Sequence, residues 1–502
     1  MQAYSATLDC RGLTPALTVL RIKQAVCASQ ASDPPLRVIL GTECEWEQVC
    51  YALAEVAERV RYVVPDSDPP ADVVGSGALS LIEAASPWWQ RPDLRYDQGH
   101  LHLGTVDLAE LAGQIGTPAY VCRGARVKQN IERLSEAMRS AGLEHRIYYA
   151  IKANRSPSLL SYLRALGLCG VDVCSTGELM HAISCGFSAS EISFTGTSLS
   201  SRDIDVLSRF SNLRINLDSL SSLNSIGRAC PGREVGLRIN PAAGVGYQGD
   251  SRLNYSGAHT TKFGIYLDHI AEAKAIAQRW GLRVVRLHLH VGCGFLDAQL
   301  DQLAEALDAA NTFTEHFAEL REINLGGGLG VPHNASDQPL DLGRWAAEVA
   351  RRFAGRNLLV AIEPGDYLVK DAGLLLASVT YVERRRDVLF AGLDAGFNLA
   401  MEPAFYGLAC EPVPVIPRWD EGSESYTVVG NINEALDIWA VDHRMTRLRA
   451  DDQVALINAG GYAASMRSEH CLRGQAREVL LIDEESDSGT QPAAHVPLGL
   501  MT

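Results

Sequence analysis

The sequence predicts an α/β protein: a (β/α)8 barrel with a discontinuous β domain, preceded by a small two-layer α+β domain. Eight short apolar runs, most of them separated by helical stretches, lie between about residues 130 and 380. That is the strand number and the length that such a barrel needs. The flanking segments 105–129 and 381–502 lack this alternation and carry β-rich runs. Over residues 1–75, apolar strands alternate with two amphipathic helices.

The composition is that of an ordinary globular chain of about three domains, with 502 residues, 47% hydrophobic and 21% charged. A net charge of -15 argues against nucleic-acid binding, because no basic stripe is available to neutralise phosphates. The 12 cysteines lack zinc-type spacing, which favours free thiols and no metal site. The first residues lack the pattern of a signal peptide and no apolar run has the length of a membrane span, so we expect neither feature. We therefore expect a cytoplasmic protein that binds no membrane.

The N-terminal domain is predicted to contain two helices and three strands. Thr14 can cap the first helix and Pro15 suits its first position. The second helix, over 45–60, carries apolar residues at alternating steps of three and four. The strands are predicted at 4–8, 36–40 and 61–64. A linker is predicted over 76–104, where glycine, serine and proline punctuate the chain.

The barrel is predicted to span residues 130–380, and the segments 105–129 and 381–502 are predicted to form one β domain. The eight barrel strands are expected at 146–151, 170–173, 191–195, 213–217, 235–239, 284–291, 322–325 and 358–362.

Chemically useful residues follow several of these strands. Lys152 follows the first, His290 the sixth, the triplet Gly326-Gly327-Gly328 the seventh and Glu363 the eighth. Barrel active sites lie at the C-terminal ends of the strands, so these groups should converge. Singly, each has a plain structural interpretation, such as a lysine that reaches solvent or a core histidine. Together they fit pyridoxal phosphate: an amine for a Schiff base, glycine amides for the phosphate and a carboxylate for the ring nitrogen.

The region from about 105 to 480 resembles the fold-type III pyridoxal-phosphate decarboxylases, the diaminopimelate, ornithine and arginine decarboxylase family. The matching segments are Tyr149-Ala150-Ile151-Lys152-Ala153-Asn154, Asp172-Val173-Cys174-Ser175-Thr176-Gly177-Glu178-Leu179, Lys262-Phe263-Gly264, His290-Val291-Gly292, Gly326-Gly327-Gly328, Glu363-Pro364-Gly365 and Asn458-Ala459-Gly460-Gly461-Tyr462. The resemblance implies an alanine-racemase-like barrel and a homodimer with shared active sites. It also implies a set of cofactor-binding residues: Lys152, Asp172, His290, Cys293, Gly326, Gly327, Gly328, Glu363, Gly365 and Tyr462.

Several positions depart from the family pattern. Cys293 stands where the family has serine, and a thiol is a weak donor to phosphate. Asp366 and Glu402 replace two arginines, the second just before Tyr406. An acid repels a substrate carboxylate and attracts an ammonium. We therefore expect Asp366, Glu402, Tyr406 and Asp437 to bind a substrate with a basic or polar distal group, although both acids could instead be solvated surface residues.

The loop that carries a catalytic cysteine in the family is also altered. Here it reads Gly430-Asn431-Ile432-Asn433-Glu434-Ala435-Leu436-Asp437, with Asn433 at the cysteine position. An amide cannot donate a proton at neutral pH, so the proton would come from Lys152, Cys293, water or another group. Asn433 and Glu434 are the catalytic candidates on this loop.

The N-terminal domain resembles small sulfur carriers of the TusA/SirA type through Leu8-Asp9-Cys10-Arg11-Gly12-Leu13. Where that family has its sulfur-bearing cysteine, this chain reads Pro15-Ala16-Leu17-Thr18. We expect a docking or oligomerisation module with a possible protein partner.

The leading interpretation is decarboxylation of an amino acid with a basic or polar distal group, in specialised or amino-acid metabolism. The alternatives are diaminopimelate decarboxylation, racemisation or another Cα reaction, and a non-catalytic cofactor-binding scaffold.

Overall fold

The computed structural model describes residues 7–10, 22, 36–40, 53, 60–62, 87–247, 251–257 and 259–482. The chain divides into two compact units, Met1–Ala85 and Ser86–Thr502. The first contains a parallel sheet in the order β1-β2-β3, formed by Thr7–Cys10, Leu36–Leu40 and Val60–Tyr62. These strands lie within a few residues of the predicted ones. Most of both predicted helices, and all of Pro15 to Thr18, lie outside the described residues, so the sulfur-carrier likeness stays a prediction.

The second unit begins with structured chain, so the linker predicted over 76–104 is wrong for its last part. An antiparallel sheet is formed there by β4 Leu94–Asp97, β5 His100–Leu103 and β6 Val106–Asp107. Helix α1, Leu108–Ile115, follows, and the Asp107 side chain caps it. Leu101 and Leu103 are buried against Leu374 and Ile457 of the β domain. The burial of apolar side chains therefore fixes residues 94–107 in place, although the proline-rich composition of this region predicted a linker.

Eight parallel strands close into the predicted barrel, because β15 pairs with both β14 and β8. Helices cover the outer face of the strands, which explains why the strands read as continuous apolar runs. The strands β8 to β15 are His145–Ala150, Gly170–Val173, Ile192–Phe194, Arg214–Leu217, Glu234–Arg238, Arg283–His288, Glu322–Asn324 and Leu359–Ile362. The helices α2 to α10 are Gly124–Ser140, Pro157–Leu166, Thr176–Ser184, Ser201–Ser208, Leu220–Ala229, Ile270–Trp280, Leu300–Thr314, Leu342–Phe353 and Asp366–Val369.

The β domain joins chain from both sides of the barrel. Strand β7, Ala119–Arg123, precedes the barrel and pairs antiparallel with β16, Gly373–Arg385, and parallel with the last strand, β22. This sheet therefore starts at Gly373, before the predicted boundary at 381. The remaining elements are β17 Val388–Leu393, helix α11 Glu402–Tyr406, β18 Pro412–Pro414, β19 Ser423–Val429, β20 Ile438–Thr446, β21 Gln453–Ile457 and β22 Arg477–Leu481.

Within the described part of the chain, no helix combines the length and the apolarity needed to cross a bilayer.

Candidate active site

A cavity of about 520 Å³ opens at the C-terminal ends of the barrel strands. Most of the predicted cofactor residues line it, namely Lys152, Asp172, His290, Cys293, Gly327, Gly328, Glu363, Gly365 and Tyr462. Asp366 also lines the cavity. The cavity lining does not include Gly326, Glu402, Tyr406, Asn433, Glu434 or Asp437.

Lys152 stands two residues beyond β8 and faces Asp172 at the end of the neighbouring strand β9. Its Nζ lies 3.8 Å from Asp172 Oδ2, and its side chain is 41% exposed to the cavity. Burial alone would lower the pKa of Lys152, but the charges of Asp172, Cys174 and Glu363 together outweigh burial and the pKa is raised. The amine is therefore held charged in the protein alone.

Glu363 is a buried carboxylate that accepts three hydrogen bonds from barrel strands. Ser193 Oγ and Asn324 Nδ2 donate to Oε1 at 2.9 and 2.7 Å. His288 Nε2 lies 2.8 Å from Oε2. Burial alone would raise the pKa of Glu363, but His288, Lys152 and the bond from Ser193 lower it to about 2. The group is thus ionised at neutral pH.

His290 is half-buried, with its Nδ1 atom buried, and it is neutral. Burial first, and then the charges of Lys152 and Arg238, lower the pKa of His290 well below its usual value. Its ring is tilted by 33° against Tyr255 at 4.9 Å, and its Nε2 lies 3.8 Å from Cys293 Sγ. Burial raises the pKa of Cys293 to about 12, so the thiol keeps its proton.

The glycine triplet packs closely against neighbouring backbone. Gly326 and Gly328 have φ angles of +67° and +106°, a region that glycine tolerates without strain. A Cβ on Gly327 would lie 2.5 Å from the carbonyl oxygen of Glu363. The backbone N–H of Gly326 donates a hydrogen bond to Asn324 Oδ1 at 2.9 Å. The bare backbone of Gly327 and Gly328 therefore lines the cavity, where backbone amides can form an anion site.

These groups fit pyridoxal phosphate. The amine of Lys152 matches a carbonyl, the ionised Glu363 matches a ring nitrogen that carries a proton, and the glycine backbone with Tyr462 matches a phosphate. Three buried polar atoms of the cavity-lining residues, Asp172 Oδ1, His288 Nδ1 and His290 Nδ1, have no hydrogen-bond partner among the described residues, as expected if a bound group completes the site. The described residues contain no cluster of histidine, cysteine and acidic side chains suited to a metal ion.

The two acids that replace arginines already have a cation. Lys370 Nζ lies 2.5 Å from Glu402 Oε2 and 3.3 Å from Asp366 Oδ2. Both acids are buried or nearly so, which contradicts the alternative that they are solvated surface residues. The ammonium that we expected from a substrate is therefore supplied, at least in part, by the chain itself.

Asp437 holds the loop rather than facing the cavity. Its two carboxylate oxygens accept bonds from the amides of Phe397 and Ile432 at 2.7 and 2.6 Å. This use of both oxygens is a structural role, which does not support its prediction as a substrate ligand. Asn433 and Glu434 are exposed at the loop tip, and Glu434 Oε1 lies 3.3 Å from His470 Nε2.

Tyr406 is half-buried at the end of α11, outside the cavity lining. It packs against the same apolar cluster as Cys293, formed by Tyr247, Leu253, Leu296 and Leu408.

Several residues of the site were missed in the sequence. Arg238 and His288 end β12 and β13 and line the cavity, while Ser193 and Asn324 bind Glu363. Each is a polar residue within or at the end of an apolar barrel strand, and that signal could have found them. Lys370 also had a signal, because it lies four residues after Asp366 in an apolar run.

The sequence matches the pyridoxal-binding domain of the pyridoxal-dependent decarboxylases over residues 125–370. The diaminopimelate decarboxylase of Methanothermobacter thermautotrophicus is 33% identical over 408 residues, which are 79% of this chain and 94% of that protein. The solved structure of M. jannaschii diaminopimelate decarboxylase with L-lysine superposes with a TM-score of 0.70 at 26% identity, covering 78% of this chain and 93% of that one. Helicobacter pylori diaminopimelate decarboxylase with L-lysine gives a TM-score of 0.68 at 26% identity, covering 75% and 94%.

Proposed function

The chain belongs to the family of pyridoxal-dependent decarboxylases, and we propose that it removes the α-carboxyl group of an amino acid whose distal end is basic or polar. The enzyme is a carboxy-lyase that uses pyridoxal 5′-phosphate. The observation that carries the choice of substrate is the presence of Asp366 and Glu402, with Lys370 between them, beside a cavity that keeps the residues for the cofactor.

The cofactor residues divide the work of the site. When bound, pyridoxal phosphate accepts the electron pair released as the bond from Cα to the carboxyl carbon breaks. Lys152 would supply the amine that binds the carbonyl carbon of the cofactor. Glu363, ionised at neutral pH, would favour a proton on the ring nitrogen, and neutral His290 would offer an uncharged ring to pack against.

The reaction consumes one proton, since an amino acid gives carbon dioxide and an amine only when a proton replaces the carboxyl group at Cα. The exposed amide of Asn433 cannot supply it. At the cavity wall, Lys152, Cys293 and Tyr462 carry transferable protons, and the raised pKa of each keeps its proton in place at neutral pH. Tyr462 is the residue that matches the cofactor phosphate. We propose Lys152 as the donor, since Cys293 holds its proton in contact with His290 and Tyr255.

The test is a substrate panel that reads both products. The loaded enzyme is given lysine, ornithine, arginine, glutamine, glutamate and diaminopimelate, and carbon dioxide and amine are measured together. We expect both products, in equal amounts, from a substrate with a basic or polar distal group. Lys152→Ala should remove the turnover and the Schiff-base absorbance of the bound cofactor.

Two other functions give different outcomes in the same panel. Diaminopimelate decarboxylation is favoured by the names of the relatives, and a clear preference for diaminopimelate would replace our proposal. Racemisation is favoured by the loss of the loop cysteine, and it would give inverted amino acid without carbon dioxide. A scaffold would give no turnover with any substrate. A homodimer with shared sites and a cytoplasmic location stay predictions, which sedimentation and cell fractionation would test.

A further inference from the structure

Lys370 is a buried ammonium enclosed by two acids. Its side chain is 0% exposed, and those of Asp366 and Glu402 are each 11% exposed. Burial alone would lower the pKa of Lys370, but Asp366 and Glu402 outweigh burial and raise it. A buried lysine with two carboxylates at hydrogen-bond distance stays charged.

The three side chains, which we call the charge trio, meet the cavity through Asp366. Asp366 lines the same cavity as Lys152 and Glu363. Glu402 reaches the trio from helix α11 of the β domain. Burial is the main cause of the raised pKa values of Cys293 and Tyr462, two further residues of the cavity wall, and the charges of Asp366 and Glu402 add to it. The field of the trio therefore reaches the part of the cavity that Cys293 and Tyr462 line.

We propose that the charge trio sets the specificity of the enzyme for the distal group of its substrate, and that Lys370 is the positioning residue that keeps both acids ionised. Above pH 7, the approximate pKa of Glu402, one ammonium and two carboxylates carry a net charge of minus one. This charge repels a distal carboxylate, accepts an uncharged polar group and favours an ammonium. Since Lys370 cancels one of the two acids, that preference is weaker than two unpaired carboxylates would give. The inference rests on the proposed function, because it assumes that an amino-acid side chain occupies the cavity.

Lys370 is needed because two carboxylates cannot both stay ionised beside each other in a buried place without a cation. Without Lys370, one of them takes up a proton and the trio returns to a charge of minus one. The lysine therefore fixes which atoms carry the charge and holds Asp366 toward the cavity wall.

A charge series tests the proposal with side chains of nearly constant shape. Asp366→Asn makes the trio neutral, and the double variant Asp366→Asn with Glu402→Gln makes it positive. The double variant Lys370→Met with Glu402→Gln keeps the wild-type charge without the lysine. Each loaded enzyme is compared on two pairs, glutamate with its isostere glutamine, and lysine with norleucine, which has the same carbon chain without the ammonium. The assays are run at about pH 8, because burial raises the pKa of Glu402 to about 7.

For each pair we measure the ratio of kcat/KM, or of inhibition constants where a compound is not turned over. The ratio of glutamate to glutamine should rise about tenfold for each positive step in charge, and the ratio of lysine to norleucine should fall. Lys370→Met with Glu402→Gln should keep the wild-type ratios. A structural defect cannot move the two pairs in opposite directions. As a control, Asp452→Asn removes the same charge from a half-buried pair with Arg418 outside the cavity lining and should leave both ratios unchanged.

Ratios that stay within about twofold of the wild type across the series would overturn the proposal, as would changes of the same sign in both pairs. Melting temperature and cofactor absorbance report folding for each variant, and Asp366→Asn tests the proposal even if the lysine variant fails to fold. If the wild type decarboxylates none of the amino acids, the proposed function fails. The inference is then tested separately by the affinity of each pair, read from the change in cofactor absorbance on binding.

Discussion

The strongest quantitative consequence of the site concerns Glu363. Glu363→Gln removes the charge but keeps the shape, and it sets an amide group against donors from Ser193, Asn324 and His288. The pKa of Glu363 falls from an ordinary 4.5 to about 2, and each pKa unit corresponds to about 1.36 kcal/mol. The ionised carboxylate therefore stabilises the fold by about 3 kcal/mol at neutral pH.

The sign follows from the lowered pKa. The stabilisation is present above the unfolded pKa of 4.5 and is lost as the pH falls through the folded pKa of about 2. Urea unfolding of the cofactor-free chain should thus give a difference between wild type and Glu363→Gln of about 3 kcal/mol at pH 7, which falls to roughly half or less at pH 3. A difference below about 1 kcal/mol at pH 7, or one that does not shrink at pH 3, would refute this reasoning.

Three further substitutions test other parts of the site. Gly327→Ala should abolish cofactor retention on gel filtration, because its Cβ would lie 2.5 Å from the carbonyl oxygen of Glu363. A variant that still retains the cofactor would contradict the close packing of the glycine triplet. Asn433→Cys should raise kcat by ~10-fold if proton delivery limits the rate, while Asn433→Ser, which adds no acid, should not raise it. Equal kcat values for the wild type and both variants would show that proton delivery is not the rate-limiting step. Asp437→Ala should lower the free energy of unfolding by about 2 kcal/mol, because two backbone amides lose their acceptor, and an unchanged melting temperature would contradict that role.

The barrel could be predicted because its strands are buried on both faces. Each strand is then a short apolar run, and the prediction of 170–173 coincides with the observed Gly170–Val173. The last part of the predicted linker was missed for the opposite reason. Proline and glycine punctuate the chain before Leu94, but Leu101 and Leu103 are fixed by residues more than 250 positions away, such as Leu374. Local composition carries no information about that contact.

The site divides in the same way. Lys152, His290 and Glu363 could be predicted because a residue that follows a barrel strand must face the mouth of the barrel. Asp437 could not, since its sequence position does not tell whether its oxygens meet a substrate or the amides of Phe397 and Ile432. The partner of Glu402 is Lys370, 32 residues earlier in the chain, so the charge of that corner is visible only when the fold brings them together.

The residues for the reaction and the residues that we propose for substrate specificity therefore lie in different parts of the molecule. Lys152, His290 and Glu363 follow strands of the closed barrel, and their positions are set by the barrel core. The charge trio instead bridges the barrel and the β domain, with Asp366 and Lys370 on one side and Glu402 on the other. Substitutions at this boundary can change which distal group is accepted without moving the residues that hold the cofactor. For this reason the likeness to diaminopimelate decarboxylases supports the reaction more firmly than the substrate, because the two replaced arginines lie in the part that is free to vary.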